Sequence, residues 1–168
     1  AILFLLPLGA SAHPVKYKAI DTHLFVHENL VDFRTRVQHL FDYDASTQDE
    51  TKKLLSAYFK EHLKIESCLP EITAYESDPL GALSTFEGVY RCSHTINTEE
   101  EFVIESTLFE EFFEEFDHYI EIRDSTEVRT IILNRAHAKF SGVLFEPPQN
   151  FTGQKPSDHT TTEEQESH

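Results

Sequence analysis

Apolar residues recur every three or four positions between residues 22 and 42, the spacing that places them on one face of an amphipathic helix. Asp21 and Thr22, both common N-cap residues, stand at the start of this pattern. The apolar positions are Val26, Leu30, Phe33, Val37, Leu40 and Phe41. The pattern therefore predicts a first helix over residues 22–42.

A second apolar stripe follows the polar segment 42–44. Thr47 and Glu50 have the spacing of a capping box, in which two side chains bind the free N–H groups at a helix start. The stripe consists of Leu54, Leu55, Tyr58, Phe59 and Leu63. The helix should end before Pro70, because proline disfavours helical geometry in the preceding residue. The two helices are predicted to form a hairpin.

Shorter patterns in the middle and at the end of the chain predict strands. Residues 69–83 are predicted to be an irregular connection, because two prolines and Gly81 interrupt regular structure. Residues 86–96 alternate as a strand does, and Gly88 within them indicates a bulge or bend. An antiparallel meander is predicted for three runs rich in Ile, Val and Phe, at 119–123, 128–134 and 138–145.

The segment from Thr98 to Tyr119 has phenylalanines on one helical side and acidic residues on the other. Thr98 and Glu101 match a capping box, which predicts an acidic, Phe-rich helix. Residues 102–106 fit a short strand equally well, with a new helix capped by Thr107. The stripe is predicted to pack closely or to line an apolar ligand site, and its ligand candidates are Phe109, Phe112, Phe113 and Phe116.

The order helix, helix, strand, helix and then consecutive strands predicts an α+β fold with helices on one face of an antiparallel sheet. This order is similar to that of nuclear-transport-factor-2-like proteins, whose curved sheet and helices enclose an apolar cavity. The resemblance covers the order of elements over residues 22–145, and no residue motif carries it. It implies a fold and no functional residues.

The two ends of the chain differ from its middle. Residues 1–12 are typical of the end of a secretory signal peptide, because a short apolar run leads into the small-x-small pattern of a cleavage site. A buried N-terminal strand is the alternative. Residues 13–146 are predicted to form a single domain, and the polar residues 147–168 to be a disordered tail. No stretch approaches the roughly 20 apolar residues of a membrane-spanning helix.

Export would explain two further features. Cys68 and Cys92 are the only cysteines, and in an oxidising compartment an even pair is most simply a disulfide. Two free buried thiols are the alternative. Asn150 begins an N-glycosylation sequon. We therefore predict a secreted, extracellular glycoprotein.

The formal net charge is -16, and much of the acidity falls between residues 99 and 127. Such a field repels phosphate backbones and anionic lipid surfaces, which argues against a nucleic-acid partner. It could attract a basic protein, with the acidic helix as an interaction module. The alternative is that the carboxylates only keep the chain in solution.

Histidines are the candidates for metal binding and for acid-base chemistry. His23 and His27 have the spacing of a helical zinc site, and a mature N-terminal His13 could chelate copper through its amine and ring. Lytic polysaccharide monooxygenases, which are copper enzymes, also begin with a histidine, but this chain differs from them in lacking tryptophan. Surface histidines without a metal are the simpler interpretation. As catalytic bases the sequence offers His94, His118 and His137.

No phosphate-binding loop, nucleophile elbow or dinucleotide fingerprint occurs in the chain, and no cofactor is predicted. The leading hypothesis is a secreted, non-enzymatic protein that binds a hydrophobic small molecule or a basic protein. The alternatives are a small secreted enzyme with a His or carboxylate base in a sheet pocket, and an acidic interaction module.

Overall fold

The computed structural model describes residues 5–7 and 15–146, with side chains for residues 19–146. One helix, α1 (Gln48–His62), and one 3₁₀ turn at Glu110–Phe112 accompany the strands of this part. The strands are β1 (Leu5–Pro7), β2 (Val15–His27), β3 (Leu30–Val37), β4 (Phe41–Tyr43), β5 (Leu63–Ile65), β6 (Leu69–Asp78), β7 (Leu83–Arg91), β8 (Glu101–Ser106), β9 (Phe113–Arg123), β10 (Val128–Asn134) and β11 (Lys139–Val143). The described chain is thus mostly β, and the predicted helix-rich α+β fold is wrong.

The first predicted helix is instead the hairpin of β2 and β3. Buried residues alternate along both strands, and the chain reverses at Glu28 and Asn29, because His27 pairs with Leu30. Glu28 has a φ of 55°, the left-handed conformation that two-residue hairpin turns require. A pattern of apolar residues at four- and three-residue spacing therefore came from two alternating strands joined by a turn.

The second predicted helix is confirmed as α1. The Thr47 side chain accepts a hydrogen bond from the Glu50 N–H at 3.2 Å. The Glu50 carboxylate reaches back to the Ser46 N–H at 3.1 Å, one residue earlier than in the usual capping box. The helix ends at His62, ahead of Pro70 as predicted.

The predicted irregular connection over residues 69–83 is largely strand β6, which pairs with β7. The register between the two strands shifts between Ile72 and Ala74, opposite Gly88, so the bulge indicated by the glycine is real and lies on the partner strand. A Cβ at Gly88 would lie 2.1 Å from the Glu71 carbonyl oxygen. Only glycine allows β6 to approach β7 this closely.

The predicted acidic helix over Thr98–Tyr119 is also wrong. Its first part is strand β8, as the alternative for residues 102–106 proposed, and the new helix is only the 3₁₀ turn. Strand β9 begins at Phe113, and its residues alternate between buried and exposed from Phe116 onward. Like-charged glutamates four residues apart disfavour a helix here, whereas strand geometry separates them.

Six strands form the large sheet in the order β10-β9-β2-β3-β7-β6, in which only β2 and β9 are parallel neighbours. A small sheet has the order β11-β8-β5, and β1 pairs with β4. The three runs of the predicted meander are strands, but β11 pairs with β8 rather than with β10. Three sheets and one helix in the described chain do not match the expected nuclear-transport-factor-2-like order.

The small sheet and α1 pack on one face of the large sheet, which we call the inner face. Phe59 of α1 contacts Phe33 and Phe86, with ring centroids 5.4 and 5.6 Å away. Tyr90 of β7 donates its hydroxyl to the Leu63 carbonyl of β5 at 2.6 Å, and burial raises the pKa of this phenol. The core lies between these layers and is built largely of rings.

Cys68 and Cys92 lie at disulfide distance, with 2.07 Å between the sulfurs, as predicted. Cys68 precedes β6 and Cys92 follows β7, so the bond closes the open end of that hairpin beside the Leu69–Arg91 pair.

The predicted leader and tail fall mostly outside the described residues. Within residues 1–12 only Leu5–Pro7 is described, as a strand antiparallel to Phe41–Tyr43. The cleavage site, His13, Asn150 and residues 147–168 lie outside the described residues.

Candidate binding surface

No described element covers the second face of the large sheet, which we call the outer face. Because side chains alternate along a strand, the residues between the buried ones all point to this side. It carries four of the exposed large apolar side chains: Phe25, Tyr119, Val128 and Ile132. An open, partly apolar face is typical of a surface that binds a partner.

Charged side chains on neighbouring strands form a ladder across the outer face. Asp21 on β2 accepts a hydrogen bond from Arg36 on β3 at 2.9 Å. His23 lies between Asp21 and Glu121, with nitrogen–oxygen distances of 3.3 and 3.4 Å. Arg123 donates to Glu121 in turn. The ladder therefore links acidic and basic side chains across three strands.

These contacts also set the pKa values of the acids. Burial raises the pKa of the Asp21 carboxyl, but hydrogen bonds from Arg36 and His23 outweigh burial, and the net pKa is lowered. The hydrogen bond from Arg123 lowers the pKa of Glu121. Both acids are held in the charged form, so the ladder persists at neutral pH.

A groove of about 360 Å³ crosses the centre of the outer face. Its floor is formed by the strands at Leu24, Phe33 and Gly88. Its walls are the side chains of His23, Phe25, Asp32, Arg34, Thr73, Glu87 and Arg123. Thr73 is the extra residue of the β6 bulge, so the same irregularity that requires Gly88 also supplies one wall.

The groove combines an aromatic ring with paired charges. Phe25 is 39% exposed. Arg34 contacts Glu87 at 3.3 Å, and His27 donates to Asp32 at 2.8 Å at the margin. A surface with one ring and several charged partners suits a polypeptide, whose side chains and backbone offer both kinds of contact.

His118 is the only one of the three catalytic candidates that is buried, and it lies in the core. Its two ring nitrogens are each 2.6 Å from a hydroxyl oxygen, that of Ser106 on β8 and that of Thr22 on β2. Thr22 in turn lies 2.8 Å from Thr35 on β3. This buried chain of hydroxyls and one imidazole joins the two sheets.

Burial lowers the pKa of His118 to about 3, so the ring is neutral, with one nitrogen donating and the other accepting. A serine beside a histidine resembles a nucleophile and its base. However, Ser106 and His118 both have 0% exposure, so no substrate reaches them. The geometry fits a structural role.

The remaining histidine candidates lie apart from one another. His94 and His137 are exposed in connections between strands. His23 and His27 lie on a strand rather than a helix, and four strand residues span about 13 Å, too far to share one metal ion. In the described ranges no group of three or more metal-binding side chains comes together.

The phenylalanines predicted to bind a ligand contact other rings instead. Phe109 lies 4.9 Å from Phe41 and 5.6 Å from Phe86, and Phe113 is 1% exposed. Phe116 is buried too, while Phe112 is half-buried against the core. Their placement favours packing over ligand binding.

The acidic residues of the predicted helix are distributed over several surfaces. Glu105 lies on the small sheet, between Lys64 and Lys139 in the strand register. Glu111 accepts a hydrogen bond from the Tyr58 hydroxyl, and burial together with the nearby Glu111 charge raises the pKa of that phenol. Glu110 pairs with Arg135. No single acidic helix face exists in the described chain.

Sequence reasoning missed the groove residues Phe25, Arg34, Thr73 and Arg123. The available signal was the alternation of charged with apolar residues in segments 21–27 and 31–37, once these are recognised as strands. The sequence around Thr73 does not indicate that it lines a groove, because its position in a bulge depends on how β6 pairs with β7.

Comparison with known proteins finds no family model that matches the chain and no significant match among curated proteins. Within the part of the chain that the structure describes, no helix has the length and apolarity to span a bilayer.

Proposed function

We propose that the protein is a secreted, non-enzymatic binding protein whose partner is a protein that occupies the groove and the surrounding outer face. The observation that carries the proposal is the groove itself, where Phe25 stands among Arg34, Glu87 and Arg123 on an uncovered sheet. Aromatic and arginine side chains are those that contribute most at protein interfaces.

A basic partner fits the charge of the chain. The net charge of -16 accelerates association with a cationic surface, and Asp32 and Glu87 lie in the groove to meet it. The alternative of an apolar small molecule has less support, because the phenylalanines proposed to line its cavity pack against each other. An enzymatic role has less support for a similar reason: the Ser106–His118 pair is fully buried.

The test of the binding surface is capture of proteins from extracellular fluid by the immobilised chain, quantified by mass spectrometry. Phe25→Asp should reduce capture of the partner at least tenfold, because it removes the ring from the centre of the groove. Leu80→Asp is the matched control, since Leu80 is apolar and fully exposed at the β6–β7 turn.

The proposal is contradicted if Phe25→Asp and Leu80→Asp reduce partner capture equally. It is also contradicted if neither substitution changes partner capture. Co-purification of a lipid that survives Phe25→Asp, seen by native mass spectrometry, contradicts it as well. Circular dichroism of each variant establishes that the fold is retained.

Secretion belongs to the same proposal and is supported by the Cys68–Cys92 bond, since disulfides persist in oxidising compartments. Expression of the precursor in a secretory cell and N-terminal sequencing of the medium test it. Cleavage after Ala12 is expected, which makes His13 the first residue. A product retained in the cell, or one that keeps residues 1–12, contradicts the prediction.

A further inference from the structure

The turn between β6 and β7 carries the most exposed large apolar side chain of the described residues. Leu80 is 101% exposed, whereas the other exposed large apolar side chains lie between 36% and 57%. Every residue from 76 to 82 is exposed as well. The Leu80 side chain gains nothing from burial within this fold, so it is fully available to an apolar pocket of another protein.

The backbone of this turn lies outside the β6–β7 ladder. Strand pairing ends at Asp78 and Leu83, which leaves four residues between the strands. The Leu80 N–H donates to the Asp78 carboxylate at 3.0 Å, a contact within the turn itself. Ala82 has a φ of 48°, the left-handed region that a residue with a Cβ adopts at a cost. Exposed turns of this kind open locally and are the segments that proteases cut.

The sequence of the hairpin restricts the class of protease that can act on it. No lysine or arginine occurs between Lys64 and Arg91, so a protease that requires a basic residue has no site there. A serine protease with an apolar specificity pocket instead binds an apolar side chain immediately before the bond that it cuts. Leu80 is such a side chain, and it precedes Gly81, which presents no side chain to obstruct the enzyme. The Leu80–Gly81 bond therefore suits an enzyme of chymotrypsin-like specificity.

We propose that the Leu80–Gly81 bond is a processing site for an extracellular serine protease of this specificity, and that cleavage gives a two-chain form joined by the Cys68–Cys92 disulfide. The proposal rests on the secretion proposed above and not on the groove. Cleavage is a hydrolysis that consumes one water molecule. The bond between the Leu80 carbonyl carbon and the Gly81 nitrogen breaks, Leu80 gains a terminal carboxyl group, and Gly81 gains a terminal amine.

Three features hold the cut chain together. Cys68 precedes the cleaved bond and Cys92 follows it, so the disulfide spans the cut. Nine facing residue pairs join β6 to β7. On the other side of β6, the Ile72 N–H donates to the Ser56 hydroxyl of α1 at 2.9 Å. Cleavage should therefore alter the turn and leave the sheet and its groove in place.

Limited digestion of the purified, oxidised full chain with chymotrypsin tests the site. The first cut within residues 19–146 is expected after Leu80. Mass spectrometry without reductant should show residues 19–146 still joined, with the mass of one water molecule added. Reduction should then separate two fragments at this bond. Circular dichroism should be the same before and after the cut, because the ladder and the disulfide remain.

Four variants define the specificity of the cut. Leu80→Asp should slow it at least about tenfold, because an apolar pocket rejects a charged side chain. Leu80→Phe should restore it, since the same pocket accepts a ring. Leu69→Asp is the matched control, because Leu69 is 57% exposed but lies within paired strand β6, and the rate should not change. Phe25→Asp should also leave the rate unchanged, which separates this site from the groove.

Three results overturn the proposal. They are a first cut elsewhere within residues 19–146, a cutting rate that Leu80→Asp does not change, and fragments that separate without reductant. Retention of the chain in the cell would instead contradict secretion, and equal partner capture by wild type and Phe25→Asp would contradict the groove. The failure of the cleavage site is therefore distinguishable from the failure of the proposed function.

Discussion

The inner and outer faces of the large sheet use the same strands for different purposes. Inward positions of β2, β3 and β9 carry apolar side chains, with one fully bonded polar chain through Thr22 and His118. Outward positions of the same strands carry the ladder of paired charges around Asp21. The comparison teaches that stability is concentrated on one side, which leaves the other free to carry a binding surface.

The largest difference between the faces should come from removing one phenylalanine ring from each. Phe86→Ala is expected to lower the free energy of unfolding by about 4 kcal/mol, because it leaves a cavity among Phe41, Phe59 and Phe109. Phe25→Ala should cost less than about 1 kcal/mol, since that ring is already partly in solvent. Urea denaturation measures the free energy of unfolding of both variants. Equal losses would show that the inner and outer faces contribute equally to stability.

Gly88→Ala should have the next largest effect. The added methyl would overlap the Glu71 carbonyl oxygen and the Phe33 ring. Neither neighbour can move aside easily, because one belongs to the backbone of β6 and the other to the packed core. We expect a loss of about 3 kcal/mol, the upper part of the range for overpacking. Gly81→Ala, at the β6–β7 turn, is the control, because its nearest neighbour is a movable Asp78 oxygen. If Gly88→Ala unfolds at the wild-type urea concentration, β6 does not approach as closely as described.

The pH dependence of stability should report the burial of His118. The pKa of His118 is about 3 when folded against an ordinary value of 6.5, so below pH 6.5 the unfolded chain binds a proton that the folded chain does not. This contribution is fully present above pH 6.5 and declines as pH falls. The loss reaches roughly 3 kcal/mol at about pH 4.5.

Denaturation series between pH 7 and about pH 4.5 check this expectation. His118→Gln should flatten the profile in this window, because it removes the buried imidazole. A wild-type profile that is flat over the same window contradicts the buried, neutral state of His118.

The smallest effect is expected on the outer ladder. Arg36→Gln removes the partner of Asp21, and both side chains are about 40% exposed. Ion pairs at such positions contribute less than about 1 kcal/mol and weaken in salt. Stability measured at low and high salt should show a small loss that salt erases. A loss above that of Gly88→Ala would mean that the ladder helps to hold the fold together.

The sequence predicted α1 because its signals are local, a capping residue at Thr47 and one continuous apolar stripe. It failed for residues 22–42 because Val26, Phe33 and Val37 fit both a helical stripe and two alternating strands. The deciding turn at Glu28 and Asn29 lacks the glycine that usually marks a two-residue hairpin. Periodicity alone did not separate the two patterns.

The candidate surface was less predictable than the fold, because it depends on strands that are distant in the sequence. His118 was identified as a candidate, but its burial became evident only from β8 lying over β9. The groove joins Phe25, Thr73 and Arg123, which no local motif connects. The disulfide was predictable because only two cysteines exist.

The parallel pairing of β2 with β9 has a consequence for biogenesis. Partners such as Ile20 and His118 are separated by about 100 residues, so the centre of the sheet cannot close until most of the chain has left the ribosome. Until then, β2 has one edge open to incorrect partners. We therefore expect slow, post-translational completion of folding and dependence on chaperones that shield nascent strands.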